Sequence, residues 1–329
     1  APALPSKITA RSWVLADLDT GDILAARDPH GRYQPASILK ILTSDTLIPK
    51  LSGDEQVSVS SAAANTEGSH AGIVTDGRYR VDDLFRGLLL VSGNDTAVAL
   101  AQAAGGVGQT VDAMNAEALS LGAYDTFVQT PSGLDGWQQL TSAYDMTLFL
   151  RQALTLPRFI GYERPAKAAL PAQHPPATAL DRVPMINQNE QFLTTVPGAL
   201  VAKTGYTDAA QHTFAGAIRR HGRTLAVIFL RAQRWPTDQW QPATALMDWG
   251  FALPAETAPV GHLQASVVRS APSSHPRSPT ARAAATSTVG GGRDPFTVPA
   301  MIATALAVLA TLALAVKRRR YGRPHRARR

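Results

Sequence analysis

The chain of 329 residues contains no cysteine, which excludes thiol catalysis, cysteine-held zinc and a disulfide framework together. Stability therefore rests on packing, and the absence suits an oxidising compartment in which stray thiols are a liability. Charge is sparse at 17% Asp, Glu, Lys and Arg, and aromatic residues make up only 6%. The formal charge of +7 does not point to a nucleic acid. Eight basic residues and no acid lie in 317–329, while residues 1–316 carry 24 basic against 25 acidic groups. DNA and RNA are set aside as partners. Metal-binding patterns are also missing: the eight histidines show no close pairing, so no metal is expected. Gly105-Gly106-Val107-Gly108 follows a helical pattern rather than a strand and reads as a loop, so no cofactor is expected.

Long apolar runs are absent except at one place. Val298 to Val316 is 19 residues without a charge, which as a helix reaches about 28 Å against a bilayer core of about 30 Å. The pattern predicts a transmembrane helix over 298–316. Lys317, Arg318, Arg319 and Arg320 follow it, and the positive-inside rule keeps the tail 317–329 cytoplasmic and everything before Val298 outside. Export needs an N-terminal signal, yet the chain opens Ala1-Pro2-Ala3 with no apolar stretch, so the expectation is a mature form whose signal peptide is removed. Between Ser270 and Thr297, 21 of 28 residues are Ser, Thr, Pro, Ala or Gly, too polar and small to form a core. Residues 255–297 read as a tether, with a composition that also suits a glycosylated stalk.

Residues 1–254 read as one extracytoplasmic domain. Ser12 to Asp17 and Asp22 to Arg27 flank Asp19-Thr20-Gly21 and predict a β-hairpin. Ile38, Leu39, Ile41, Leu42 and Leu47 have helical spacing, so Ser37 to Leu47 is predicted as a helix after Pro35. Further helices are predicted over Val81–Val91, Asp95–Ala104, Thr110–Leu121 and Ser142–Leu154. Strands are predicted over Ala199–Lys203, His212–Arg219 and Thr224–Arg231, with a turn at His221-Gly222 and a closing helix over Asp238–Phe251. Strands, helices, strands and helix in that order predict an α+β fold whose terminal strands join one antiparallel sheet flanked by helices, with a helical subdomain between them.

Three short stretches carry chemistry. Ser37-Ile38-Leu39-Lys40 sets a hydroxyl and an amine three residues apart at a helix start, on one face and within mutual reach. Serine needs a base, and lysine serves only when burial or a neighbouring cation lowers its pKa. Ser92-Gly93-Asn94 sets a hydroxyl and an amide on one side of a tight bend between two helices. Lys203-Thr204-Gly205 ends a predicted strand, where cation and hydroxyl can grip a carboxylate and glycine admits a close backbone approach. Singly, each has a plain structural reading, Ser37 and Asn94 as helix caps and Lys203-Thr204-Gly205 as a strand end. Together they are expected by chance only about 0.004 times in a chain of this composition.

This set resembles the serine penicillin-binding proteins, specifically the low-molecular-mass D-alanyl-D-alanine carboxypeptidases. Pro35-Ala36-Ser37-Ile38-Leu39-Lys40, Ser92-Gly93-Asn94-Asp95, Gly133-Leu134-Asp135-Gly136 and Lys203-Thr204-Gly205-Tyr206-Thr207-Asp208 carry the likeness, which covers about residues 7 to 254. The resemblance implies a penicillin-binding protein/β-lactamase-like fold and an acyl-enzyme on Ser37. By the same resemblance Lys40 takes the Ser37 proton, Ser92 relays a proton to the leaving D-alanine and Asn94 binds the donor peptide. Lys203 holds the Ser92 hydroxyl, Thr204 and Gly205 contact the substrate, and the N–H groups of Ser37 and Tyr206 form the oxyanion hole. The partners it implies are a peptidoglycan stem peptide as substrate, β-lactams as inhibitors and the lipid bilayer through 298–316. The second, β-rich domain of many members is not expected in the sequence after Ala255, and Tyr206 stands where many members have histidine. A β-lactamase is the alternative enzyme, but Glu117, Glu163 and Glu190 do not match the Glu-x-x-Leu-Asn pattern that a class A enzyme uses to deacylate. A D,D-endopeptidase, or a non-catalytic peptidoglycan-binding scaffold on the same fold, completes the alternatives.

Overall fold

Asp17 turns the chain back on itself at the first hairpin. Its carboxylate accepts from the N–H groups of Asp19 and Thr20, and Gly21 takes the left-handed φ of +85° that closes the turn between β1 (Ser12–Asp17) and β2 (Asp22–Arg27). A 3-10 turn over Ala36–Leu39 leads into α1 (Lys40–Leu47). The chain continues through β3 (Gln56–Ser58), α2 (Ser61–Ala64), β4 (Arg78–Arg80), α3 (Val81–Leu90), α4 (Asn94–Ala103) and α5 (Val107–Ser120). Next come α6 (Ala143–Ala153), α7 (Pro157–Glu163), β5 (Lys167–Pro171), β6 (Arg182–Ile186) and α8 (Glu190–Thr195). The final run is β7 (Ala199–Thr207), β8 (Gln211–Arg220), β9 (Arg223–Ala232), α9 (Trp240–Phe251) and β10 (Gly261–His262). The computed structural model describes residues 2–173, 181–234, 237–254 and 256–264.

The main sheet has six antiparallel strands in the order β10-β2-β1-β9-β8-β7, which joins the two ends of the domain as the strand pattern predicts. Strand alternation gives it two buried faces. Val14, Ala16, Val201, Ala215, Ala217, Ala226, Ile228 and Leu230 pack on the layer that contains α1 and α3 to α6. Trp13, Leu15, Ala202, Phe214, Ile218, Leu225, Val227 and Phe229 pack on α8 and α9. Covering both faces explains why Thr224 to Leu230 reads as a near-continuous apolar run. Each fully buried Phe or Leu in these layers contributes about 1.5–3 kcal/mol of transfer free energy.

One expectation changes. The domain does not stop at 254: Val260 N donates to Ile23 O at 2.8 Å and Leu263 N to Gly21 O at 2.7 Å, so β10 covers the edge of β2 within the stretch read as the start of the tether. A two-residue strand carries no period for a sequence reading to find. The predicted transmembrane helix over 298–316, the rest of the tether and the tail 317–329 lie outside the described residues. Among the described residues, no helix is long and apolar enough to cross a membrane.

One buried acid sets a pH response. Asp45 on α1 is buried and neither carboxylate oxygen has a hydrogen-bond partner among the described residues. Burial, and secondarily Glu117 on α5, pushes its carboxyl well above the usual range. A raised acid binds its proton more tightly folded than unfolded. Its contribution is therefore complete below the unfolded carboxylate pKa and lost as pH rises through the folded one. Asp45→Asn is expected to match the native protein near pH 4 and to melt a few degrees higher near pH 8, checked by thermal unfolding across that range. A variant that loses stability equally at both ends contradicts this account.

Candidate active site

Ser37 sits where the chain leaves the first hairpin and enters the helical layer. Ala36 takes a left-handed φ of +49°, and the 3-10 turn that follows delivers Lys40 at the start of α1. The predicted α-helix from Ser37 is replaced by this tighter turn, in which residues three apart eclipse one another. That stacking brings Lys40 Nζ to 2.9 Å from Ser37 Oγ. Two glycines from distant segments close on the same backbone. A Cβ on Gly133 would lie 2.1 Å from Ala36 O, and one on Gly205 would lie 2.6 Å from Ser37 N. Neither position accepts a side chain without displacing the serine.

Lys40 is fully buried, and its Nζ also lies 2.7 Å from Asn94 Oδ1 and 2.6 Å from Ser132 O. Both of those oxygens can only accept. A neutral amine therefore donates its two N–H bonds to them and presents its lone pair to the Ser37 hydroxyl, which becomes the donor. Burial, and then repulsion from Lys203, holds the Lys40 amine well below the ordinary lysine range, with Asp95 pulling the other way. The sequence reading allows for both burial and a neighbouring cation; that the two act together, with burial the larger, needs the fold. Ser132 contributes a backbone carbonyl, for which no side-chain signal exists in the sequence.

Ser92 and Asn94 arrive between α3 and α4. Ser92 is buried with a left-handed φ of +59°, and its Oγ has no hydrogen-bond partner among the described residues. A non-glycine residue held there costs about 1–2 kcal/mol, strain of the kind that collects at working sites. Gly93 has no room for a side chain, since its Cβ would stand 2.6 Å from Thr96 Oγ1. Asn94 donates through Nδ2 to Glu67 O at 2.7 Å, which turns its Oδ1 toward Lys40.

β7 runs further than its pattern predicts, to Thr207, because Thr204, Gly205 and Tyr206 continue the ladder opposite Phe214, Thr213 and His212. Lys203 points to the helix side of the sheet and is buried. It does not bond Ser92 as the resemblance implies; its Nζ donates to Thr204 O at 2.8 Å. Burial lowers its amine to about 8, against an upward pull from Glu163 on α7. Glu163, itself wholly buried, is pushed well above the carboxylate range by burial, with Lys203 opposing. Thr204 lies on the other face, where it lines a cavity of about 250 Å³ with Asn189, His212, Thr213, Arg234 and Gln239. Tyr206 is 53% exposed and lies against His212, with ring centroids 4.6 Å apart. Asp135 accepts from Thr207 Oγ1 at 2.5 Å, tying the Gly133–Gly136 segment to the end of β7. Lys40 thus contacts Ser37 and Asn94, the Gly205 backbone closes on Ser37 N, Lys203 bears on Lys40 from β7, Ser92 stands two residues before Asn94, and Thr204 and Tyr206 face the far side of the edge strand. The sequence reading does not single out Arg234, and it meets Glu163 only as a mismatch to the β-lactamase pattern, since a lone acid or a lone base matches no motif. Among the described residues, no three His, Asp or Glu gather as a metal site.

Known proteins are similar over this same region. The D-alanyl-D-alanine carboxypeptidase family matches residues 1–234. D-alanyl-D-alanine carboxypeptidase DacB2 of Mycobacterium tuberculosis is 38% identical over 259 residues, 77% of this chain and 86% of that protein. DacF of Bacillus subtilis, also named a D-alanyl-D-alanine carboxypeptidase, is 28% identical over 74% of this chain, which spans 62% of its length. The crystal structure of a D-alanyl-D-alanine carboxypeptidase from Mycobacterium tuberculosis superposes with a TM-score of 0.74 at 37% identity, covering 80% of this chain and 98% of that one. The matched span contains all eight residues that the sequence singles out, and on its extent and identity the chain belongs to the D-alanyl-D-alanine carboxypeptidase family.

Proposed function

We propose that this protein is a serine-type D-alanyl-D-alanine carboxypeptidase that removes the terminal D-alanine from peptidoglycan stem pentapeptides. The observation that carries the reading is the Lys40 amine, buried and bonded to two pure acceptors, with its remaining valence on Ser37 Oγ. Ser37 Oγ attacks the amide carbonyl as its proton passes to Lys40 Nζ, and the N–H groups of Ser37 and Tyr206 take up the oxyanion. The C–N bond then breaks, and the departing D-alanine nitrogen gains a proton through Ser92. Water hydrolyses the Ser37 ester in the second half, returning the serine proton and releasing the shortened peptide. Lys203 supplies positive potential, Asn94 orients the donor peptide, and Thr204 binds the terminal carboxylate. Arg234 shares the Thr204 cavity and adds a guanidinium suited to that anion. A β-lactam amide enters by the same acylation and keeps its leaving group tethered, which makes it an inhibitor.

The same reading puts the catalytic domain outside a bacterial plasma membrane. Its support is the uncharged run 298–316 followed by Lys317, Arg318, Arg319 and Arg320, with a Ser/Thr/Pro-rich segment before it acting as the tether.

Three outcomes are expected. Intact-mass spectrometry should find one stable penicillin adduct on the protein, absent from Ser37→Ala, whose D-alanine release from a peptide ending in two D-alanines falls on the order of 1,000-fold. An adduct that clears within seconds would mark a β-lactamase instead, and no adduct with no release a scaffold. Acylation is expected to decline as pH rises through about 8, where Lys203 loses its proton. Lys203→Arg, which stays protonated, should remove that alkaline fall at some cost in rate, read from acylation rates across the pH range. The full chain should stay with membranes through an alkaline carbonate wash, while a chain ending before residue 298 should not; a full chain that washes free rules out the span.

A further inference from the structure

Asn94 holds Lys40, and the contacts that hold Asn94 lie outside its own helix. Its Nδ2 donates to Glu67 O at 2.7 Å and its backbone N–H to Ser69 O at 2.7 Å, both in the irregular segment between α2 and β4. A reversed amide would set an oxygen against the Glu67 carbonyl and an NH₂ against the Lys40 amine, so the segment decides which atom Lys40 meets. The contact is close: a Cβ on Gly68 would stand 2.6 Å from Asn94 Nδ2.

The segment makes no ladder of its own around Ser69 to Ile73, and one side chain folds it onto α4. Asp95 is fully buried, and its carboxylate accepts from Ala71 N at 3.0 and 3.1 Å, Gly72 N at 2.9 Å and Ile73 N at 3.2 Å. Thr96 N adds a fourth donor at 2.8 Å. Three successive N–H groups converging on one carboxylate are charge-assisted bonds, stronger than neutral ones and able to order a loop. Gly72 takes a φ of +90° to make this possible.

We propose that Asp95 is a positioning residue, which by folding residues 67–73 against α4 fixes the Asn94 amide and, through it, the Lys40 amine facing Ser37. This rests on the reading of Ser37 as nucleophile and Lys40 as base. Asp95 acts on that amine in a second way, through its charge. The groups bearing on Lys40 are Lys203 from β7, which favours the neutral form, and Asp95 from α4, which opposes it.

The test is the second-order rate of acylation by penicillin, measured with the full chain from about pH 5 to about pH 10 so that both limbs are seen. Asp95→Asn is expected to slow acylation about tenfold and to move the acid limb to lower pH, because the lost negative charge no longer favours protonated Lys40. Gly72→Ala keeps that charge but strains the loop at a position where an added Cβ meets no atom within 4 Å. It should slow acylation severalfold and leave the limb in place. Both rate losses should largely disappear in an Asn94→Ala background, since each acts through that amide, whereas the shift of the acid limb, which comes directly from the charge, should remain. Rates within about twofold of the native protein, an unmoved acid limb in Asp95→Asn, or losses that add in full to that of Asn94→Ala would overturn the assignment. If Asp95→Asn fails to fold, Gly72→Ala alone and with Asn94→Ala decides the matter. A native protein that forms no adduct removes the Ser37–Lys40 reading itself, whereas a native protein that acylates beside unaffected variants removes only the role of Asp95.

Discussion

A buried lysine amine with, among the described residues, no carboxylate at hydrogen-bond distance is the constraint on which the site is built. Taking an ammonium out of water costs several kcal/mol, and with that cost met by no ion pair, burial holds the Lys40 amine well below the ordinary lysine range. Everything around Lys40 serves that end. The 3-10 turn sets its distance to Ser37, Ser132 supplies a backbone carbonyl, and Asn94 supplies an amide oxygen from a separate helix. Three segments distant in sequence must therefore dock correctly before the serine has a base. The docking is enforced by close approaches that only glycine allows, at Gly133 against Ala36 and at Gly205 against Ser37.

Strain marks the same places. Ala36 and Ser92 are both non-glycine residues with left-handed backbone, and each adjoins or carries a hydroxyl that the proposed mechanism uses. Neither conformation is favourable in isolation, so each is held by its surroundings: Ala36 by Gly133 and Gly205, Ser92 by the bend in which Gly93 N donates to Gly87 O at 2.9 Å. The packed layers thus supply the energy that keeps the serines pointed inward.

How much of this was legible in the sequence follows from the range of the forces involved. β1 and β2 were readable to the residue because a hairpin is a local object with a local turn signal. Long helices were readable in kind but not in bounds: α5 begins at Val107 rather than Thr110, since Gly105 and Gly106 at φ +105° and +120° break the chain earlier than the apolar period starts. The two-stranded sheets β3/β4 and β5/β6, and the helices α2, α7 and α8, carry too few residues to show a period and exist because the core orders them. In the site, the motif residues were legible because each motif is contiguous. The Ser132 carbonyl, Glu163 beneath Lys203, and Asp95 binding a loop more than twenty residues upstream were not, since only tertiary contact gives them meaning.

β7, at the edge of the sheet, carries site residues on both of its faces. Lys203 belongs to the side packed on the helical layer, with Ser37 and Lys40, while Thr204 and the Arg234 cavity belong to the side packed on α8 and α9. The proposed nucleophile and base are thus underwritten by one hydrophobic core, and the pocket beside Thr204 by another. One strand therefore takes its two faces from separate cores, with Val201 in the first and Ala202 in the second, so adjacent site residues on β7 rest on different packing.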